Sequence, residues 1–256
     1  MGAAIARGLE RGGLAPPDLC PVAGGGRGTI EVLLPALGGE TGGGFALIEG
    51  GGTAIVELGA SERETGAFVA AAIGAGAEVV VVAAGGAEGT DGADRDGGGV
   101  VAAIEDGGGL RGAALVVLCE TRAAWSGPAG DLRRDPRAIA MTAAGGGIAA
   151  ALWARYDTPL VAGPAFVLEQ LGYDARMRAA RAVVIGERLL DRGTLAGRVA
   201  GEVAIRARQA GVPCHAIVGA SAIDAFDARI LDLQAIVEAA TVAEIEAAGE
   251  RLAQLL

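Results

Sequence analysis

The sequence predicts an α/β fold, in which helices cover a parallel sheet and a smaller mixed α/β domain is inserted into the chain. Short apolar runs bounded by glycine or charged residues recur along the chain, and helical patterns lie between several of them. Strands that alternate with helices are typical of α/β architecture. A β-hairpin pattern in the first third interrupts this alternation and indicates the second, mixed domain.

Four apolar runs have the composition of buried parallel strands, which are apolar throughout because both of their faces are covered. They lie at residues 78–84, 114–119, 182–185 and 213–218. The hairpin is predicted from Phe45 to Glu49 and Thr53 to Leu58, on either side of three glycines.

Helix boundaries are marked by glycines and by a cap. Residues 3–11 end at a glycine pair, and residues 196–210 end at Gly211. The apolar face from Ile30 to Leu37 predicts a further helix. The last helix begins at Thr241, with Glu244 three residues on, which is the spacing of a capping box.

The length and charge of the chain restrict its function. Its 256 residues suffice for one or two domains. A net charge of −10 argues against nucleic acid and anionic membrane surfaces as partners, since both attract basic patches. All 21 basic residues are arginine, so only arginine or backbone N–H groups could bind a phosphate.

The cysteines and the longest uncharged run indicate a cytoplasmic protein. Cys20, Cys119 and Cys214 are far apart in sequence, which predicts neither a disulfide framework nor a zinc site. The run between Arg137 and Arg155 is rich in alanine and glycine. It predicts a buried loop and helix rather than a membrane span.

Three glycine-rich stretches carry the strongest functional signal. They read PVAGGGRGT at 21–29, GGAEGTDGA at 85–93 and GERLLDRGTLAGR at 186–198. Each alone is typical of a turn, but together and in this order they resemble three loops of the bacterial glycerate kinase family. Those loops read approximately P-x-A-D-G-G-E-G-T, G-G-S-A-T-N-D-G-G and T-G-E-G-x-L-D-x-Q-[ST]-x-x-G-K. The similarity extends in register from about Ala3 to the C-terminus.

The resemblance implies a flavodoxin-like or Rossmann-like parallel sheet domain made of residues 1–40 and 163–256. Residues 41–162 would form the inserted mixed domain. Family members open with a strand that has no counterpart before the first helix of this sequence, so the expected sheet would lack that strand. If the strand is central, its neighbours would be left with unpaired backbone groups.

The resemblance also implies ATP-dependent phosphorylation of D-glycerate with Mg²⁺ by a cytoplasmic enzyme, which could be a homodimer. Asp191, Glu187 and Asp91 are the implied catalytic residues, and Asp191 is also the implied metal ligand. Arg198 and Thr194 would bind the substrate. The implied ATP and phosphate contacts are Gly25, Gly28, Thr29, Gly85, Gly86 and Gly186.

Departures from the family pattern leave a second interpretation open. Gly24 stands where the family has Asp, Arg27 where it has Glu, and Arg198 where it has Lys. The chain could therefore be a catalytically impaired homologue that acts as a binding or regulatory protein, or a decayed remnant. Asp91 could equally be a helix N-cap and Arg198 a surface residue, and His215 is expected to be structural.

Overall fold

The computed structural model describes residues 1–86, 96–127 and 132–256. The chain divides into two compact units. Unit 1 consists of Met1–Pro21 and Gly172–Leu256, and unit 2 of Val22–Leu171. The continuous segment thus runs from 22 to 171 rather than from 41 to 162, and the predicted domain assignment stays a prediction.

Within the described ranges the strands are β1 (Glu40–Gly42), β2 (Phe45–Ile48), β3 (Thr53–Glu57), β4 (Val79–Gly85), β5 (Ala114–Cys119), β6 (Leu160–Ala162), β7 (Val183–Leu190), β8 (Cys214–Ser221) and β9 (Leu233–Glu238). The α-helices are α1 (Gly2–Arg11), α2 (Thr29–Leu37), α3 (Glu62–Gly74), α4 (Gly98–Asp106), α5 (Ile148–Tyr156), α6 (Gly163–Gln170), α7 (Tyr173–Ala179), α8 (Arg192–Leu195), α9 (Val199–Ala210), α10 (Ala225–Ile230) and α11 (Val242–Ala253). Short 3₁₀ turns cover Glu49–Gly51 and Ala144–Gly147.

Unit 2 contains a six-stranded sheet in the order β1-β2-β3-β4-β5-β6. The first three strands pair antiparallel, and β3 to β6 pair parallel. The predicted hairpin is therefore confirmed as β2 and β3, and the runs at 78–84 and 114–119 as the central strands β4 and β5.

Helices cover both faces of this sheet. Alternate side chains of a strand point to opposite faces, so neighbouring residues of one strand belong to different clusters. Val56 on β3 belongs to one buried cluster with residues of α3, α4 and α5. The adjacent Ile55 belongs to a second cluster with residues of α2 and α6. This arrangement explains why the strands are apolar without alternation.

Unit 1 is built on three parallel strands in the order β7-β8-β9. Helices α1 and α11 pack side by side. Their Ile5, Ile245 and Leu252 form one buried cluster with Ile217 of β8. Gly8 permits the close helix contact, since a Cβ there would lie 2.2 Å from the carbonyl oxygen of Glu246. The capping box at Thr241 is confirmed.

The third apolar run is longer than predicted. The sequence indicates a strand that ends at Ile185, but β7 continues to Leu190 and pairs with β8 up to Ser221. The expectation that Gly186 opens a loop is therefore wrong. Its backbone pairs beside Ile217, and pairing with a neighbouring strand outweighs the weak local preference of a glycine.

The uncharged run between Arg137 and Arg155 forms a buried 3₁₀ turn followed by α5, as predicted. Among the described residues, no helix combines the length and the apolar character that crossing a bilayer requires.

His215 lies on β8 and is 6% exposed, and its Nδ1 has no hydrogen-bond partner among the described groups. Burial lowers the pKa of His215, because the imidazolium form loses hydration. The folded protein therefore binds this proton less readily than the unfolded chain does. Stability contributed by the neutral ring is complete above the unfolded pKa of about 6.5 and is lost as pH falls below that value.

We expect the free energy of unfolding to fall between pH 7.5 and pH 5.5, with His215 contributing at most about 1.4 kcal/mol per pH unit below 6.5. His215→Leu should lack this component. Since His215 is the single histidine, urea unfolding of both proteins at the two pH values isolates its effect. An equal decrease in wild type and variant would contradict the assignment.

Candidate functional site

The parallel strands of unit 2 all end at one edge of its sheet, where ligands of α/β proteins usually bind. Strand β3 ends at Glu57, β4 at Gly85, β5 at Cys119 and β6 at Ala162. The first glycine-rich stretch, residues 22–28, lies against this edge and leads into α2.

Close backbone contacts hold residues 22–28 in place. The Gly85 N–H donates to the carbonyl of Gly25 over 3.0 Å. A Cβ on Gly25 would lie 2.6 Å from the Cα of Gly163, and one on Gly26 would lie 2.8 Å from the Cα of Gly85. The first and second glycine-rich stretches thus meet, and Gly25 and Gly26 are required because no side chain fits between the backbones.

The backbone N–H groups of residues 24 to 28 are a row of free donors. Within the described ranges, none of them donates to a protein acceptor. Gly24, Gly25 and Gly26 are buried nonetheless. The exposed Arg27 side chain in the same row makes no ion pair with any described residue.

Helix α2 begins directly after these donors. The Thr29 hydroxyl donates to the carbonyl of Gly26 over 2.6 Å, which fixes the turn into the helix. Thr29 is fully buried and therefore positions the turn rather than facing solvent. Gly28 precedes it in the left-handed region at φ 87°, with open space where its Cβ would be.

Two carboxylates that sequence reasoning missed lie at this edge. Glu57 ends β3 and accepts a hydrogen bond of 2.8 Å from the Ile30 N–H in the first turn of α2. Glu120 follows β5, and its carboxylate fills the space beside Gly24, where an added Cβ would lie 1.9 Å from the Glu120 Cδ. The signal that could have found Glu120 is its position just after a predicted parallel strand, whereas Glu57 ends a strand that the sequence predicts only as part of the hairpin.

Glu120 also bears on one departure from the family pattern. A carboxylate is absent at position 24, yet the Glu120 carboxylate occupies that space from a neighbouring strand. The adjacent Cys119 is not a nucleophile in this arrangement, because burial raises the pKa of its thiol to about 12.

In the second glycine-rich stretch, Gly85 and Gly86 hold the surrounding loops together. The Gly86 carbonyl accepts from the Gly145 N–H over 2.8 Å, and the Gly85 N–H is already bonded to Gly25. Asp91, predicted to be catalytic, lies outside the described residues.

The third stretch belongs to unit 1, where Asp191 is the N-cap of α8. Its Oδ1 accepts from the Gly193 N–H over 2.7 Å, and its own N–H donates to the Thr194 hydroxyl over 3.2 Å. Arg198 Nη1 donates to both Asp191 oxygens at 3.0 Å. Asp191, Thr194 and Arg198 thus lie together, and Asp191 already has a cation beside it.

The two remaining residues predicted in this stretch lie on β7. Glu187 accepts a hydrogen bond of 2.7 Å from the Arg188 N–H through its Oε1. Gly186 is in mid-strand, where a Cβ would lie 2.9 Å from Ile5 Cδ1. The predicted residues therefore form two groups, one in each unit.

Comparison with known proteins decides the ancestry. A sequence model described as the glycerate kinase family matches residues 114–256, more than half of the chain. The chain belongs to the glycerate kinase family. The match includes β5, the third glycine-rich stretch and the whole C-terminal part of unit 1.

A solved structure extends the family likeness to the fold. The crystal structure of a candidate glycerate kinase 2 from Salmonella typhimurium LT2 superposes with a TM-score of 0.68 at 19% sequence identity. The match covers 99% of this chain and 94% of that chain. At this identity the likeness shows the α/β fold alone. A comparison with curated protein sequences finds no match.

This family member shows no preformed metal cluster in the part of its chain that the structure describes, where no three His, Cys, Asp or Glu side chains converge. Magnesium can bind through one or two carboxylates, with phosphate and water oxygens completing its shell. As arranged, Asp191 does not fit a metal, since Arg198 Nη1 lies 3.0 Å from each carboxylate oxygen.

Gly25 and Gly28 offer a matched test of the close contact, because their φ angles are 86° and 87°. Gly28→Ala should cost about 1–2 kcal/mol, from left-handed backbone strain alone. Gly25→Ala should cost about 1–3 kcal/mol more, because its Cβ meets the Gly163 backbone. Urea unfolding measures both, and equal losses would contradict the packing of this loop.

Replacing Asp191 separates its capping role from its ion pair. Asp191→Ala should lower the free energy of unfolding by about 1–2 kcal/mol, since the N-cap and the bond to Arg198 are both lost. Asp191→Asn keeps a capping oxygen and should lose less than about 1 kcal/mol. If urea unfolding shows equal losses, the cap is not what Asp191 contributes.

Proposed function

We propose that the protein phosphorylates D-glycerate to phosphoglycerate, with ATP as the phosphoryl donor and Mg²⁺ as cofactor. The single observation that carries this proposal is the row of free N–H groups from residue 24 to residue 28, before α2. Family membership and the position of this row at the carboxyl edge of the sheet supply the context.

Buried N–H groups without a partner cost free energy, and protein structures rarely leave several of them together. Oxygen atoms of a phosphate would satisfy them, and the N-terminus of a helix adds partial positive charge. Arg27 adds a guanidinium in a chain that has no lysine. The fit to an anion is therefore made by backbone groups and one arginine.

In this proposal, residues of unit 2 bind phosphate oxygens through Gly25 and Gly28, while Thr29, Gly85 and Gly86 keep that backbone in place. When bound, Mg-ATP supplies the transferable phosphoryl group and neutralises much of its charge. The protein contributes positioning and hydrogen bonds.

The residues of unit 1 are assigned to glycerate. Arg198 is suited to bind its carboxylate, since a guanidinium can donate two parallel hydrogen bonds to that group. Asp191 orients Arg198 through the bonds described above and is the candidate to orient the reacting hydroxyl. Its proposed role as a metal ligand would first require Arg198 to move away. Thr194 supports the same turn. Glu187, Gly186 and Asp91 remain proposed contacts, as the family resemblance implies.

One observation favours a second function, that of a binding protein without turnover. Asp191 Oδ1 accepts from Gly193, and both of its oxygens face Arg198, so metal binding there requires Arg198 to move. A chain with this arrangement could bind an anion and fail to transfer phosphate.

A coupled assay of ADP release tests turnover. We expect saturable activity that requires ATP, Mg²⁺ and D-glycerate. Asp191→Asn should lower kcat by about 10²-fold or more if the carboxylate acts in the transition state. Asp224→Asn is the matched control, because Asp224 also caps a helix of unit 1, by accepting from the N–H groups of Phe226 and Asp227. Its kcat should match the wild type.

Calorimetry distinguishes a protein that binds its ligands without turnover from one that binds neither ligand. Heat of binding for Mg-ATP or D-glycerate without ADP release would support the binding protein. No heat for either ligand would overturn both functions. Equal kcat losses in Asp191→Asn and Asp224→Asn would remove Asp191 from the catalytic group.

A further inference from the structure

Unit 2 contains a solvent-open cavity of about 380 Å³ to which the proposed phosphorylation assigns no ligand. It lies beside the turn between β1 and β2, at residues 42–44. Its apolar walls include Phe45 on β2, Phe68 on α3 and Ile30 on α2. The charged residue that lines it is Glu57, at the end of β3.

The aromatic wall is fixed by close packing. Gly44 has φ 90°, and a Cβ on it would lie 2.4–2.5 Å from three atoms of the Phe68 ring. The ring therefore lies directly against the turn, and only glycine permits that contact. Phe45 and Phe68 are both part of the packing around the main buried cluster of unit 2, which limits their movement.

Glu57 is only partly neutralised inside this cavity. Its Oε1 accepts from the Ile30 N–H, and the N-terminus of α2 supplies partial positive charge. No other hydrogen bond and no ion pair links Glu57 to the residues that the structure describes. This half-buried carboxylate lines the same cleft as two phenyl rings, so a ligand that brings a positive charge together with an apolar group is favoured.

We propose that this cavity binds a small organic cation, namely a primary ammonium attached to a hydrophobic ring. The ammonium pairs with Glu57, and the ring contacts Phe45 and Phe68. Cations are attracted to aromatic rings, and pockets that combine apolar walls with one placed charge are typical of small-molecule sites. An anionic ligand would meet the Glu57 carboxylate, so this site is distinct in chemistry from the free N–H groups of residues 24–28.

Benzylammonium chloride is the probe, titrated into the full chain by isothermal calorimetry in 150 mM sodium chloride. Benzyl alcohol has the same shape without the charge, and benzoate has the opposite charge. We expect saturable binding of benzylammonium, at least about tenfold weaker binding of benzyl alcohol, and no binding of benzoate. Mg²⁺ added to the protein should not compete with benzylammonium for this site.

Glu57→Gln should weaken benzylammonium binding at least about tenfold, because the amide keeps an acceptor for Ile30 but lacks the charge. Glu49→Gln is the matched control: it changes the net charge equally, at an exposed position on the same hairpin. Its affinity should equal that of the wild type. Phe68→Leu should weaken binding of the ring, and thermal unfolding of each variant verifies its fold.

Several results would overturn the proposal. They are the absence of saturable binding to the wild type, benzyl alcohol binding as tightly as the amine, and equal weakening in Glu57→Gln and Glu49→Gln, which would indicate attraction to net charge alone. Competition by Mg²⁺ would show that Glu57 binds an inorganic cation instead. None of these outcomes depends on whether the protein phosphorylates glycerate.

Discussion

Carboxylates of the chain itself occupy several helix N-termini, and this pairing decides where an outside anion could bind. Glu62 accepts from the N–H groups of Gly97 and Gly99 at 2.9 Å and so caps α4 from the first residue of α3. Within unit 1, Asp191 is itself the N-cap of α8, and Glu244 completes the capping box of α11 by accepting from the Thr241 N–H. The partial positive charge of a helix start is strongest in its first turn, so a carboxylate there competes directly with any ligand anion.

Helix α2 is capped differently, and the difference creates the proposed phosphate site. Glu57 satisfies the Ile30 N–H within the helix, but the glycine row before the helix keeps its own donors free. Gly25 and Gly26 approach Gly163 and Gly85, respectively, too closely for any side chain. The same absence of side chains that allows the packing therefore leaves the N–H groups reachable for a small anion. The packing of this loop and its proposed phosphate binding both depend on its lack of side chains.

Local sequence patterns predicted most of the fold but less of the site. The hairpin, the central strands and the capping box at Thr241 depend on neighbouring residues, so composition and spacing revealed them. The end of β7 was missed because Gly186 looks like a turn, whereas pairing with β8 is a tertiary interaction. Glu57 and Glu120 were missed for the same reason: their contacts with Ile30 and Gly24 join residues far apart in sequence. The pairing of Asp191 with Arg198 brought together two residues that had been assigned separate roles.

Some arginines of this chain form ion pairs within the protein, and others do not. Arg198 is held by Asp191 at two oxygens, and Arg7 and Arg11 both bind Glu246. Pairing compensates part of the charge of such an arginine, so an anion would be bound there mainly through the guanidinium N–H groups that the pair leaves unused. Arg27 makes no ion pair among the described residues and lies beside free backbone donors, so its full charge remains for a ligand. Arg27 is one of several arginines without an ion pair among the described residues, so what suits it to the proposed anion site is its place beside the free backbone donors of residues 24–28.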